Sequence, residues 1–171
     1  MSYLKMISFT VIASMAVLGL GNYIQAGTTA PINDNLANED IRWHTVSEID
    51  LLQKNQSKMI IVDVYTDWCK WCKVMDQNTF TDPALKQYLN EKFHLVKFNA
   101  EDKSKVTFKG QEHMYVPSGR RGYNTLAVEL LQGSLSYPSF VVLDENLKLM
   151  KVIKGYKDAV SFKEALSTVA L

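Results

Sequence analysis

The sequence predicts an α/β domain in which a mixed β-sheet is sandwiched by helices. Three observations carry that reading. Met59-Ile60-Ile61-Val62-Asp63-Val64-Tyr65 is a largely unbroken apolar run, as expected of a strand buried on both faces, and His94-Leu95-Val96-Lys97-Phe98-Asn99 reads as a second central strand. The segments between and around these runs repeat apolar residues at helical spacing. Near the end, Ser139–Asp144 and Leu147–Lys154 flank the turn pair Glu145-Asn146, which predicts an antiparallel hairpin and so a mixed sheet. The predicted order is β-α-β-α-(α)-β-insert-α-β-β-α.

Taken in order, Ile41–Val46 can form a first short strand. Ser47 is a candidate helix N-cap, with Ile49, Leu51 and Leu52 giving an apolar face through about Gln56. Met59–Thr66 is the central strand, and Cys69 to about Asn78 is expected to be helical. Thr81-Asp82-Pro83 is a helix-start signal with proline at the first helical position, followed by Leu85, Tyr88, Leu89 and Phe93 on one face. His94–Asn99 is the second central strand. Glu101–Gly122 is an insert: Val106–Val116 is expected to be a hairpin turning at Lys109-Gly110, and Pro117–Gly122 a loop. Asn124 or Thr125 caps a helix carrying Leu126, Leu130 and Leu131. Gly155 ends the closing hairpin. A last helix from about Ala159 buries Phe162, Ala165, Leu166 and Val169.

Length and charge bound the function. A chain of 171 residues supports one domain with a real core. Nineteen basic against eighteen acidic residues give a net charge of +1, which suggests no nucleic-acid partner. The start resembles a secretory leader: Lys5, then an apolar or small run from Met6 to Leu20, then Ile24-Gln25-Ala26 as a cleavage site after Ala26. That run is short for a membrane span, which needs about 20 residues; an uncleaved N-terminal anchor is the alternative. Residues 27–40 are polar and read as a flexible linker, which leaves 41–171 as the folded domain. The expected destination is periplasmic or extracytoplasmic, where disulfides persist.

The chemistry is concentrated in Thr66-Asp67-Trp68-Cys69-Lys70-Trp71-Cys72-Lys73, which holds the only two cysteines. A strand that delivers Cys-x-x-Cys to a helix start suits thiol–disulfide exchange. As a structural staple the pair would close a tiny loop and restrain little. Cys69 is the expected nucleophile: helix N-terminal N–H groups and the helix dipole favour its thiolate, as do the charges of Lys70 and Lys73. Cys72, one turn on, should be more buried and resolve the mixed disulfide. A metal-binding thiolate pair without redox turnover is the alternative. Zinc wants four ligands, however, and His44, His94 and His113 have no ligand-like spacing, so no metal is expected. No cofactor beyond the cysteine pair is expected either. Asp63 lies in an apolar strand, where burial would raise its pKa towards neutrality; a carboxylate capping a local backbone group is the plainer reading. Trp68 reads as packing beside the site and Trp71 as a docking residue, with plain core packing an even alternative for either. Lys103, Lys105, Lys109, Arg120 and Arg121 are interleaved with Glu101, Asp102 and Glu112. They read as a solvated hairpin, or more sharply as a partner surface near the site.

Val62-Asp63-Val64-Tyr65-Thr66-Asp67-Trp68-Cys69-Lys70-Trp71-Cys72-Lys73 resembles the active-site segment of the thioredoxin superfamily. Tyr137-Pro138-Ser139 resembles its cis-proline loop, Lys97-Phe98-Asn99 the strand that sets a lysine near a buried acid, and Gly155 the glycine after the last hairpin. The likeness runs from about Trp43 to Leu171. It is nearest to exported thioredoxin-like proteins and to the thioredoxin-like domain of Dsb-type transmembrane reductases. Two departures stand out: Lys-Trp lies between the cysteines where thioredoxin has Gly-Pro, and the insert is longer than in a minimal thioredoxin. The resemblance implies that Asp63 sits beneath the cysteines and accepts the proton of Cys72 through water, with Lys97 as counter-charge. It also implies a cis Tyr137–Pro138 bond that offers a backbone edge to an extended substrate, with Tyr137 touching that substrate; a trans turn proline is the alternative. The implied function is reduction of envelope protein disulfides by a monomer recharged from a membrane thiol reductase, with disulfide oxidase or isomerase as the runner-up.

Overall fold

The computed structural model describes residues 39–169; the leader and most of the linker (1–38) lie outside them. Among the described residues no helix is long and apolar enough to cross a membrane. The strands are β1 (Trp43–His44), β2 (Met59–Tyr65), β3 (Phe93–Asn99), β4 (Val106–Phe108), β5 (Gln111–His113), β6 (Tyr115–Ser118), β7 (Arg121–Asn124), β8 (Ser139–Leu143) and β9 (Leu149–Lys154). The α-helices are α1 (Ile49–Asn55), α2 (Lys70–Val74), α3 (Pro83–Lys92), α4 (Thr125–Leu130) and α5 (Ala159–Ser167).

Five strands form the central sheet in the order β1-β3-β2-β8-β9. β1 and β2 run parallel to β3, whereas β8 is antiparallel to both β2 and β9, so the sheet is mixed as expected. Alternate side chains feed two cores. Ile60, Val62, Val64, Val96, Phe98 and Val141 pack with Ile49 of α1 and with Leu126 and Leu130 of α4. On the other face Ile61, Leu95, Phe140 and Val142 pack with Met75, with Leu85 and Leu89 of α3, and with Phe162 and Leu166 of α5. Asp63 shares this second face by its period-2 alternation with Ile61.

Several local readings need correction. The first strand spans two residues only. Ser47 does not open the first helix: a 3-10 turn (Val46–Glu48) begins after Thr45, whose N–H and hydroxyl both donate to Glu48, each at 2.7 Å. The helix after Cys69 is not α-helical throughout. α2 passes into a π-helical turn (Met75–Thr79), and the Phe80 N–H reaches back five residues to the Met75 carbonyl. The hairpin predicted over Val106–Val116 ends at His113, with Lys109 and Gly110 at positive φ in its turn. Pro117–Gly122 is not a loop but most of a second hairpin, β6–β7, whose two-residue turn has Gly119 at φ 57°. Pro117 and Gly122 face each other across it. A proline is tolerated there because the pair stands alone, with no further strand to bond. A Cβ on Gly122 would sit 2.3 Å from the Tyr115 ring and 2.4 Å from the Val116 carbonyl oxygen, so only glycine lets this ribbon close. Helix starts were legible: Asp82 accepts from the Leu85 N–H with Pro83 at the first position, Asn124 caps α4 and Asp158 caps α5.

Candidate active site

β2 ends at Tyr65, and Thr66, Asp67 and Trp68 carry the chain to Cys69, the N-cap of α2. The Cys69 N–H donates to the Thr66 carbonyl (3.0 Å), and the Cys72 N–H donates to Cys69 Sγ (3.1 Å). A thiolate at Cys69 would receive that same N–H as a charge-assisted bond. Cys69 and Cys72 are joined by a disulfide. The expected difference in burial is not found: Cys69 is 4 % exposed and Cys72 6 %. In the oxidised pair the Cys69 sulfur is turned back over the first helical turn, where it meets both the Cys72 N–H and the Cys72 sulfur.

Asp63 lies in mid-strand, opposite Lys97 of β3 on one side and Phe140 of β8 on the other, and is 2 % exposed. Lys97 Nζ is 3.5 Å from Asp63 Oδ2, while Asp63 Oδ1 has no hydrogen-bond partner among the described residues. Among the described residues no backbone N–H donates to either oxygen of Asp63, so the structure does not show the plainer reading of a cap. Burial pushes the Asp63 carboxyl up to about 7; Lys97 opposes the shift and Asp76 adds to it. Asp76 escaped sequence reasoning. It sits in the π turn, 2.5 Å from Lys97 Nζ, so one lysine serves two acids. Its only signal was its position four residues after Cys72, the spacing that places side chains on one helix face.

The Tyr137–Pro138 bond is cis, as the resemblance implied. The Pro138 carbonyl accepts from the Gly155 N–H (2.9 Å), which ties this loop to the end of β9. Tyr137 meets Trp68 edge-on at 5.9 Å between ring centroids, so the cis-proline loop lies against the residue that precedes Cys69. Trp68 is packed yet half exposed (50 %). Trp71 is 55 % exposed and leans on Tyr156 at 5.3 Å, a partner the sequence did not single out. Lys70 and Lys73 project outward from α2. The insert also reaches the site: Glu101 Oε1 accepts the indole N–H of Trp68 (2.9 Å), and the Arg121 guanidinium stacks on that indole at 4.6 Å. His44, His94 and His113 gather no metal set; among the described residues no cluster of three or more His, Cys, Asp or Glu side chains could hold an ion.

A model of the thioredoxin-like domain matches residues 46–170. The chain belongs to the thioredoxin-like family. A 64-residue stretch is 39 % identical to the thiol:disulfide interchange protein DsbD of Haemophilus ducreyi, covering 37 % of this chain and 11 % of that one. A 90-residue stretch is 32 % identical to DsbD of Haemophilus influenzae, covering 49 % of this chain and 15 % of that one. The chain therefore spans only a small part of these relatives. Among solved structures, a DsbH oxidoreductase superposes with a TM-score of 0.55 at 19 % identity, over 88 % of this chain and 95 % of that one. A thioredoxin from Thermus thermophilus gives 0.57 at 19 % identity, over 78 % and 89 %. At such identities the likeness is one of fold. The thioredoxin-like chain thus has the fold of a Dsb-related thiol–disulfide oxidoreductase, with its Cys-x-x-Cys pair at disulfide distance.

Proposed function

We propose that this thioredoxin-like protein is an exported thiol–disulfide oxidoreductase that reduces disulfides in envelope proteins. The observation that carries the reading is the Cys69–Cys72 disulfide at the start of α2, on the face of the sheet that buries Asp63. In the dithiol form Cys69 attacks one sulfur of the substrate disulfide. That bond breaks, a Cys69–substrate disulfide forms, and the released substrate thiolate takes up a proton. Cys72 then passes its proton to the Asp63 carboxylate, through water, and attacks Cys69 Sγ. The Cys69–Cys72 bond forms, the second substrate thiolate leaves, and two electrons have passed to the substrate.

A carboxyl that titrates near 7 is matched to this task, because it can be charged when it accepts the proton and neutral afterwards. Lys97 holds the carboxylate in place. Lys70 and Lys73 favour the Cys69 thiolate. Pro138 and Tyr137 offer the edge on which an extended substrate lies, with Trp68 and Trp71 as its flanking contacts. No cofactor is needed beyond the cysteine pair. The protein works as a monomer, without nucleic acid, and a membrane thiol reductase restores its dithiol. The leader read in residues 1–26 supports export.

Two measurements test this. Cys72→Ser should accumulate mixed disulfides at Cys69, and Cys69→Ser should not; the reverse pattern would overturn the assignment of the nucleophile. The reduction potential of the mature protein should fall near that of thioredoxin, about −270 mV, whereas a value of about −120 to −180 mV would make it an oxidant or isomerase instead.

A further inference from the structure

The basic residues of the insert do not behave alike. Lys105 is answered within its own hairpin by Glu112 at 2.7 Å, and Lys103 faces the Tyr115 ring. Arg121, the first residue of β7, points at the active site instead. Its guanidinium lies on the indole of Trp68, and its Nη1 is 3.8 Å from Glu101 Oε1, too long for a hydrogen bond. The same Glu101 oxygen is already engaged by the Trp68 N–H. The guanidinium is therefore held by stacking and by a loose ion pair with Glu101, and with its side chain 55 % exposed the N–H donors that Glu101 does not face reach solvent. An arginine fixed in this way is suited to a carboxylate, which its fork can bind in two-pronged fashion at little further cost in side-chain ordering. The location gives that edge a meaning. Trp68 is the residue before Cys69, and it touches Arg121 and Tyr137. A chain segment lying along the cis-proline loop with its cysteine at Cys69 passes beside this arginine. Lys70 and Lys73 lie exposed on α2 just after Cys69, while the acids here are Asp67, exposed beside Trp68, and Glu101, already engaged by Trp68 and Arg121.

We propose that Arg121 is a specificity-determining residue that selects polypeptide substrates carrying a carboxylate side chain close to the disulfide to be reduced. The inference rests on the reading that Cys69 exchanges with protein disulfides, and it adds a class of substrate to it. The β6–β7 hairpin then serves as the arm that presents the arginine.

The test uses three cyclic peptide disulfides, identical except for Glu, Gln or Lys two residues from one cysteine, with dithiothreitol as the reductant. For the wild-type protein, kcat/KM for the Glu peptide should exceed that for the Lys peptide about fivefold at low salt, as one half-exposed charge pair would give. The ratio should fall towards one as salt screens the pair. Arg121→Glu should invert the ratio and Arg121→Gln should bring it near one, so either variant suffices if the other misfolds. Lys148→Glu makes the same charge change in the turn between β8 and β9, at the end of β8 away from Pro138, and should leave the ratio as it was. A wild-type ratio near one, or a ratio that Arg121→Glu does not move, overturns the proposal while leaving the oxidoreductase reading intact. Failure of the wild-type protein to turn over any of the three peptides overturns the parent reading and the proposal with it.

Discussion

Asp63 is the residue whose energetics are most exposed to test. Its carboxyl titrates near 7 in the fold and near 3.8 when unfolded. Between those values the native state holds a proton that the unfolded state has lost. Stability is therefore highest below the unfolded pKa, falls as pH rises, and levels off above about 7. The drop from pH 5 to pH 8 should be about 3 kcal/mol from this group. Asp63→Asn has nothing to titrate, so urea unfolding of the oxidised protein should show this slope in the wild type and lose it in the variant. An unchanged slope would mean that Asp63 is not the group responsible. In the proposed exchange Asp63 takes the proton of Cys72, so the same variant should slow the release of mixed disulfides more than their formation. At this scale the sequence was informative where chemistry and context coincide: a carboxyl inside an apolar strand and two cysteines at a helix start are visible without coordinates. Asp76 and Tyr156 were not, because each matters only through a partner distant in the chain, and Glu101 was visible as a charge of the insert but not as the partner of Trp68.

Among the strands, those of the β6–β7 hairpin are the ones that pattern reading took for a loop. Its strands carry Pro117 and Gly122, residues that normally argue against a strand, and they have no alternation to betray them. What makes the hairpin possible is a close approach, with Tyr115 lying across the gap that Gly122 leaves. Gly122→Ala should therefore cost about 1–3 kcal/mol, since the Val116 backbone cannot move aside as a side chain might. Hydrogen exchange over 115–124 should quicken, and the preference for acidic peptides should weaken with it. Retained protection would show that the ribbon tolerates a Cβ. The β4–β5 hairpin was legible for the opposite reason, because Gly110 marks a turn directly after the β-prone run Val106-Thr107-Phe108. The π turn after α2 left no mark in the sequence, since its residues would suit an α-helix equally well.

For the molecule as a whole, the mixed sheet places the redox pair after the end of β2 and the cis-proline loop before the start of β8, its antiparallel neighbour, with the buried acid inside β2. Architecture was readable because strand burial, helix starts and the closing hairpin all pointed the same way. The second core is closed by α5, whose Phe162 packs 4.7 Å from Phe140 and 5.6 Å from Phe80 between ring centroids. Phe162→Ala should cost about 3–5 kcal/mol in urea unfolding. Phe162→Leu should cost much less, and equal costs would mean that the ring is not what holds α5 to the sheet.

The positions of the three tryptophans give the protein an optical property of its own. Trp68 and Trp71 bracket Cys69 along the chain, whereas Trp43 is held elsewhere, edge-on to Phe80 at 5.3 Å. An excited indole beside a disulfide loses its energy by passing an electron to the sulfur pair, and it recovers its light when that pair becomes two thiols. Reducing Cys69–Cys72 with dithiothreitol should therefore raise the emission of the unlabelled protein, and replacing Trp68 and Trp71 by Phe should remove most of that rise while leaving the light of Trp43.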